Sequence, residues 1–168
     1  MGNGTISEMP LIETGGRLRL WLLFTARFFA VFAPFSLIWE FAHMPLYTVW
    51  QSGSVKQIIA YGLHCTGGDI LIALSALTGA VVLFGRKDWL PQRSTIVFVA
   101  MLLFGLGYTI YSEWLNTVVR QSWEYSIWMP VLPPFGTGLT PVLQWIVIPV
   151  VSYVYARKYV TSLNIQTK

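Results

Sequence analysis

Glu40 and His43 stand three residues apart in the stretch WEFAHMPLYTVW, where a long apolar segment ends. Residues at this spacing share one face of a helix, so the two side chains can point at the same object. Carboxylate oxygens together with imidazole suit Zn, Mn or Fe, and a carboxylate that is not a ligand can act as a base on a metal-bound water. This pair is the first candidate for chemistry in the chain.

Acids and histidines are few, with seven Asp and Glu residues and two His residues in the whole chain. Glu8 and Glu13 lie in a polar N-terminal arm, and Asp88 lies beside Lys87 in a polar loop, so we expect these three acids to be ordinary solvated charges. The remaining acids and histidines lie near segment ends that would meet on one side of a membrane: Glu40, His43, His64, Asp69, Glu113 and Glu124.

Composition predicts a membrane protein, because 168 residues with 55% hydrophobic and only 11% charged content cannot all be buried in one soluble core. Four apolar segments have about the 20 residues that a helix needs to cross the hydrocarbon. They cover residues 18–41, 58–84, 94–115 and 138–157. We predict an all-α integral membrane bundle of four transmembrane helices. Its parts are a polar N-terminal arm (1–17), a four-helix transmembrane domain (18–158) and a cytoplasmic tail (159–168).

The orientation follows from the 11 Lys and Arg residues, because cytoplasmic segments carry the excess of positive charge. Lys56 and Arg120 lie on one side, and Arg27 lies inside the first segment. The other side holds Arg17, Arg19, Arg86, Lys87, Arg93, Arg157, Lys158 and Lys168. We therefore predict cytoplasmic termini in the plasma (bacterial inner) membrane and a site that faces the periplasmic or extracellular side. Anchoring of this kind explains the basic pI of 9.4, which does not indicate nucleic acid.

The ionisable groups also fall at similar depths. A rise of about 1.5 Å per residue places Asp69, Glu113, Glu40 and His64 about 22 to 30 Å above the inner face. Ionisable groups within a membrane are costly and normally face a partner, a cavity or a pathway. We predict that they form one site, with Asp69 and Glu113 as catalytic residues. The predicted metal ligands are Glu40, His43, His64, Glu113 and Glu124.

Two spacings bear on the metal prediction. The Glu-x-x-His spacing of Glu40 and His43 also supplies ligands in carboxylate-bridged di-metal bundles, where two helices each give one copy, but this chain has a single copy. His64 and Asp69 are five residues apart, about 140° around an ideal helix, so both reach one site only if the helix is distorted. Gly67 and Gly68 between them could permit that distortion or a close helix approach.

Several of these residues have simpler interpretations. Glu40 and His43 could be a wetted helix end, and His64 an interhelical hydrogen-bonding residue. Asp69 could form an ion pair with Arg27, and Glu124 could be an exposed loop acid. Glu113 could simply end its helix. The single cysteine, Cys65, allows no internal disulfide and is interpreted as a packing residue.

The resulting functional hypothesis is a metal-dependent membrane enzyme that acts on a lipophilic substrate, such as a membrane lipid or a quinone-like or isoprenoid molecule. The substrate would arrive laterally or under a stiff lid formed by PVLPPFGTG at residues 130–138. Residues expected to line its entrance are Tyr47, Tyr61, Tyr108, Tyr111 and Tyr125.

Three other functions remain open. Asp69, Glu113 and His64 could pass protons or a cation through the membrane. His43 and His64 could be the two axial ligands of a haem. The chain could also be an accessory subunit of a homo-oligomer or of a larger membrane complex.

Overall fold

The computed structural model describes residues 9–85 and 94–166. The basic loop around Asp88, the first part of the predicted N-terminal arm and the last residues of the predicted tail lie outside the described residues. The helices are α1 (Met9–His43), α2 (Val49–Ser52), α3 (Val55–Phe84), α4 (Ser94–Trp114) and α5 (Leu139–Gln166). In the described part of the chain, four helices are long and apolar enough to cross a membrane, which confirms the prediction of an all-α bundle.

The helices extend beyond the apolar segments that predicted them. Helix α3 begins at Val55 rather than near 58, because Ser54 and Gln57 form a reciprocal capping box at its N-terminus. Helix α5 continues to Gln166, through much of the predicted cytoplasmic tail. Hydropathy marks the apolar part of a helix, whereas its ends are determined by capping and by the first residue that cannot continue it.

The four long helices form a ring, in which α1 packs against α3 and α5, and α4 packs against the same two helices. Since successive long helices run in opposite directions, the end of α1, the start of α3, the end of α4 and the start of α5 meet at one end of the bundle. We call residues 36–47, 55–72, 105–119 and 139–145 the polar half. Residues 18–35, 73–85, 94–104 and 146–163 are the apolar half.

The apolar half is tightly packed. Phe24, Phe28 and Phe32 recur every four residues on one face of α1, and the rings of Phe28 and Phe32 stack with centroids 5.5 Å apart. Tyr153 of α5 stacks on Phe98 of α4 with centroids 4.0 Å apart.

Small residues of α3 complete this core, with Ala73 and Ala80 fully buried and Ala76 and Leu77 nearly so. The packing fixes how the four helices reach the polar half.

Two connections close the polar half. A 3-10 turn (Met44–Leu46) and α2 link α1 to α3. Between α4 and α5 lie a π-helical turn (Leu115–Val119) and a hairpin of β1 (Val131–Leu132) and β2 (Thr137–Gly138), in which Val131 pairs with Gly138. An isolated bridge between Tyr47 and Tyr125 joins the two connections. The segment predicted as a stiff lid is therefore a small hairpin.

Candidate functional site

The polar half encloses a cavity of about 340 Å³ with lining residues from all four long helices. Five ionisable or amide side chains in its lining are almost fully buried, with exposed fractions of 5% for Glu40, 7% for His43, 9% for Asp69, 8% for Glu113 and 3% for Gln144. Buried polar groups of this kind need partners, because burying them alone is costly. Their hydrogen bonds therefore define the site.

Glu40 and His43 form a hydrogen-bonded pair on the last turn of α1. His43 Nε2 lies 3.0 Å from Glu40 Oε2, and Nδ1 lies 3.2 Å from Thr140 Oγ1. The Thr140 hydroxyl donates to Met129 Sδ at 3.4 Å, so its lone pairs are left to accept from His43 Nδ1–H. One further proton then lies in the bond between His43 Nε2 and Glu40. The pair thus joins an imidazole to a carboxyl group, two of the group types that most often serve as general acids and bases.

Gln144 links the pair to a second carboxylate. Its Nε2 donates to Glu40 Oε1 at 2.9 Å and to Asp69 Oδ2 at 2.6 Å, which connects α5 to α1 and α3. Two carboxylates that share one amide nitrogen must lie close together. Like charges repel strongly at short range in a buried site, so this arrangement needs a proton or a cation beside them.

Asp69 has a second donor in Trp145, whose Nε1 lies 3.1 Å from Asp69 Oδ1. The Trp145 ring is 2% exposed and lies directly over Gly105 of α4, where any Cβ would overlap it. The alternative ion pair between Asp69 and Arg27 is not formed, because Arg27 lies over the ring of Tyr159, 3.9 Å from its centroid. Asp69 therefore belongs to the network of the polar half.

Glu113 is held from the hairpin side. The Tyr125 hydroxyl donates to Glu113 Oε2 and accepts from the Gly138 N–H at 2.9 Å. Burial raises the pKa of Tyr125 well above its ordinary value of 10.0, so this phenol remains a neutral donor at physiological pH. The π-helical turn that follows Glu113 brings Asn116 and Arg120 into the cavity lining. Such turns are frequent at functional sites.

The predicted site residues divide into three groups. Glu40, His43, Asp69 and Glu113 are buried in the cavity lining, and His64 reaches the lining from an exposed position at its rim. Glu124 is exposed and is not part of the lining. Its backbone oxygen instead accepts the N–H of Thr48 at 3.0 Å.

The distortion that Gly67 and Gly68 could permit is not formed, because helix α3 is continuous from Val55 to Phe84. The alternative, a close approach of another helix at these glycines, is not formed either, since a Cβ at either one would meet nothing within 4 Å. His64 and Asp69 still line the same cavity because it extends along α3 from the rim to the floor.

The described residues contain no group of three or more His, Cys, Asp or Glu side chains arranged to hold a metal ion. The prediction of metal binding therefore lacks support from the geometry. The oxygens of Glu40 and Asp69 face Gln144, Trp145 and His43 instead. Both ring nitrogens of His43, which was also a candidate haem ligand, are within hydrogen-bonding distance of protein oxygens.

Comparisons with protein families, curated proteins and solved structures gave no match to this chain. Its function must therefore be inferred from the chemistry of the site.

Sequence reasoning missed several polar partners in the cavity. Gln144 lies within the apolar run TPVLQWIVIPV, and the signal that could have found it is an amide inside a predicted membrane span. Thr109 is 6% exposed and lines the cavity, and its hydroxyl has no hydrogen-bond partner among the described residues. Thr140 and Trp145 were missed because neither carries a charge.

Aromatic rings form much of the cavity wall. The lining includes Tyr47, Tyr61, Tyr108, Trp123 and Trp145. Tyr111 and Tyr125, which were also expected at the entrance, are not part of it. Cys65, interpreted as a packing residue, is half-buried in the same wall. The cavity thus combines an acidic floor with aromatic sides.

Proposed function

We propose that this protein is a membrane enzyme that transfers protons on a lipophilic substrate bound in the cavity. The observation that carries the proposal is the buried network in which Gln144 joins the Glu40–His43 pair to Asp69. A catalytic site needs acids and bases within hydrogen-bonding reach of one another and of a cavity for the substrate. This network supplies the acids and bases, and the cavity that they line supplies the space for a substrate.

In this proposal, proton transfer is a balanced exchange. Asp69 or Glu113, in its protonated form, gives a proton to one atom of the substrate, and the Glu40–His43 pair takes a proton from another. The protein then holds the same number of protons as before, and a proton passes between the carboxyl groups or from water to restore the starting state. General acid and base groups of this kind typically contribute about 10²- to 10⁴-fold to a rate.

The metal-dependent form of this proposal adds Zn, Mn or Fe as a cofactor. Its support is the donor set itself, since carboxylate and imidazole groups suit these ions. Elemental analysis of the detergent-purified protein beside its His43→Ala variant tests this addition, and an optical spectrum of the same samples tests for haem. Stoichiometric metal that is lost in the variant would support the addition. Equal trace levels in both proteins would remove it.

Translocation of protons or cations is less well supported than catalysis. The residues of the apolar half include no Asp, Glu or His. Two of the buried hydroxyls there are engaged within the protein, since Tyr153 donates to Ser94 at 3.1 Å and Ser152 donates to the Ile148 carbonyl at 2.8 Å. The buried Thr25 hydroxyl has no hydrogen-bond partner among the described residues. A relay would need to continue through this half, so the acids suit a site with one opening better than a pathway.

The proposed location is the plasma membrane, with both ends of this chain in the cytoplasm and the cavity facing outward. Its support is the distribution of Lys and Arg along the sequence. In a Cys65→Ser background, a membrane-impermeant maleimide should label Ser122→Cys in intact cells. It should label Ser162→Cys only after permeabilisation. The opposite pattern would reverse the orientation.

The proposed function itself can be tested in heavy water without knowing the substrate. Purified protein is incubated with a total lipid extract in D₂O, and mass spectrometry follows lipids that gain deuterium. We expect wild type to label or convert at least one lipid, and Glu40→Gln to lose that activity. Equal labelling by wild type and Glu40→Gln would overturn the proposal, as would no labelling by wild type.

A further inference from the structure

The cavity carries an excess of negative groups. Three carboxyl groups, from Glu40, Asp69 and Glu113, lie in its lining. The Glu40–His43 contact is the only ion pair that the described residues give these acids. Arg120 also lines the cavity but is exposed, so solvent and salt screen its charge. The electrostatic complement of this interior is a cation.

The walls suit an organic cation. Aromatic faces attract ammonium groups within about 6 Å of a ring centroid, and this cavity has tyrosine and tryptophan rings on several sides. An ammonium group also offers several N–H donors, which match carboxylate oxygens. The unpaired hydroxyl of Thr109, nine-tenths buried in the same lining, supplies a further acceptor.

A groove continues the cavity between α3 and α4. This second space, of about 380 Å³, shares Leu71, Ile72 and Tyr108 with the cavity and extends past Ser75 and Phe104. Its polar lining is slight, and its outer edge reaches the surface of the bundle, where Leu71 is 65% and Tyr108 52% exposed. The outer surface here would face lipid if the four helices cross a membrane. The groove therefore suits a hydrocarbon chain.

We propose that the site takes a lipophilic amine, with the ammonium group in the cavity beside the acidic floor of Glu40, Asp69 and Glu113 and the hydrocarbon tail in the groove between α3 and α4. This inference rests on the proposed function because it uses the same acidic floor, and it adds the class of ligand and its route from the lipid. The three carboxyl groups of the lining favour a positively charged head group. Because the cavity continues into the apolar groove, a ligand with a hydrocarbon tail can occupy both spaces.

Photo-crosslinking tests this proposal. The probe is dodecylamine with a diazirine in the middle of its chain, compared with dodecanol and dodecyl sulfonate that carry the same diazirine. Labelled residues are located by peptide mass spectrometry. We expect the amine to label segments 71–76 and 104–108 at least about tenfold more strongly than either matched probe does, which corresponds to about 1.4 kcal/mol in binding. Excess unlabelled dodecylamine should remove this labelling.

Two matched pairs of variants locate the ligand. Gly68 lines the cavity, whereas Gly67 is exposed and outside the lining, and neither Cβ would meet a neighbour. Gly68→Leu should therefore abolish specific amine labelling while Gly67→Leu retains it. Ser75→Phe should block the groove, and Thr78→Phe, which adds the same ring to an exposed position outside the groove, should not.

Equal labelling by the three head groups, or labelling spread over the outer surface of the bundle, would overturn the amine proposal. Preferred labelling by dodecanol or by the sulfonate would overturn it as well. The two proposals fail in different ways. Deuterium transfer that needs Glu40, without amine labelling, removes only the ligand class, whereas specific amine labelling without deuterium transfer removes only the catalytic role.

Discussion

The two halves of the bundle are built from the same four helices, but one half has a filled interior and the other encloses a cavity. In the apolar half, stacked rings and small residues fill the interior, and Phe28, Ala73, Ala80 and Val97 are completely buried. In the polar half, a cavity of about 340 Å³ remains and carboxyl groups are buried beside it. Cavities and buried charges both lower stability. The comparison indicates that packing in one half stabilises an otherwise unfavourable arrangement in the other.

Trp145 joins the two halves. Its ring packs against Phe32 of the aromatic core, with centroids 5.9 Å apart, and its Nε1 holds Asp69. The close approach at Gly105 fixes the ring between α4 and α5. The packing of the core therefore determines where one acid of the site lies.

The largest effect on stability is expected from Phe28→Ala in the apolar half. The fully buried ring makes packing contacts that alanine cannot replace, so the variant should lose about 3 to 5 kcal/mol of unfolding free energy. Unfolding by a denaturing detergent measures this loss. Leu22→Ala, at a position 52% exposed, is the control and should change stability by less than about 1 kcal/mol. A similar loss in both variants would contradict the difference between interior and surface.

Gly105→Ala should have the next largest effect, because the new methyl group overlaps the Trp145 ring. Displacement of that ring should lower stability by about 1 to 3 kcal/mol and loosen the hydrogen bond to Asp69. Tryptophan fluorescence and detergent unfolding report the two changes. Gly107→Ala, two residues away where a Cβ meets nothing within 4 Å, should be neutral or stabilising by up to about 1 kcal/mol. Tolerance of alanine at position 105 would show that the ring has room to move.

Tyr125→Phe probes the hairpin attachment with a smaller expected effect. The variant removes the Tyr125 donor from Glu113 and leaves the Gly138 N–H without this acceptor, so stability should fall by about 1 to 2 kcal/mol. Hydrogen exchange of the Gly138 amide should rise with it. Tyr111→Phe, in a ring 52% exposed, serves as the matched control. Unchanged exchange at Gly138 in Tyr125→Phe would argue against this attachment.

The smallest effect near neutral pH concerns the ionisation of Tyr125. Burial raises its folded-state pKa above the ordinary value of 10.0, so its contribution is constant below that value and is lost as the pH rises above it. The difference in melting temperature between wild type and Tyr125→Phe should stay flat from about pH 6 to 9 and shrink above about pH 10. A difference that does not shrink above about pH 10 would contradict the assignment of a phenol that burial keeps neutral.

Part of this organisation was predictable from the sequence. Apolar segment lengths predicted the four long helices, and the Glu40–His43 spacing predicted a shared face. The depth of Asp69 follows from the helical rise alone. Rotation about the helix axis does not, because it depends on which neighbours each face packs against. Rotation places His64 at the cavity rim rather than in the buried network.

Other features depended on neutral groups or on distant contacts. Gln144 carries no charge, so the positions of acids and histidines in the sequence do not indicate that it connects Glu40 and Asp69. The Tyr125 contact with Glu113 depends on the hairpin fold, which brings Gly138 to the same hydroxyl. Glu124 was grouped with the other acids by its position along the chain, but its side chain lies outside the cavity lining.

The most direct measurement compares Asp69→Asn with wild type for both stability and deuterium transfer to lipid in D₂O. Asparagine has nearly the shape of aspartate but cannot exchange a proton in the same way. We predict a loss of transfer of about 10²- to 10⁴-fold. The unfolding free energy should fall by about 1 to 3 kcal/mol, because the new amide N–H faces the N–H of Gln144 or of Trp145. Full transfer activity in a folded Asp69→Asn protein would contradict the central claim that the polar half is a proton-transfer site.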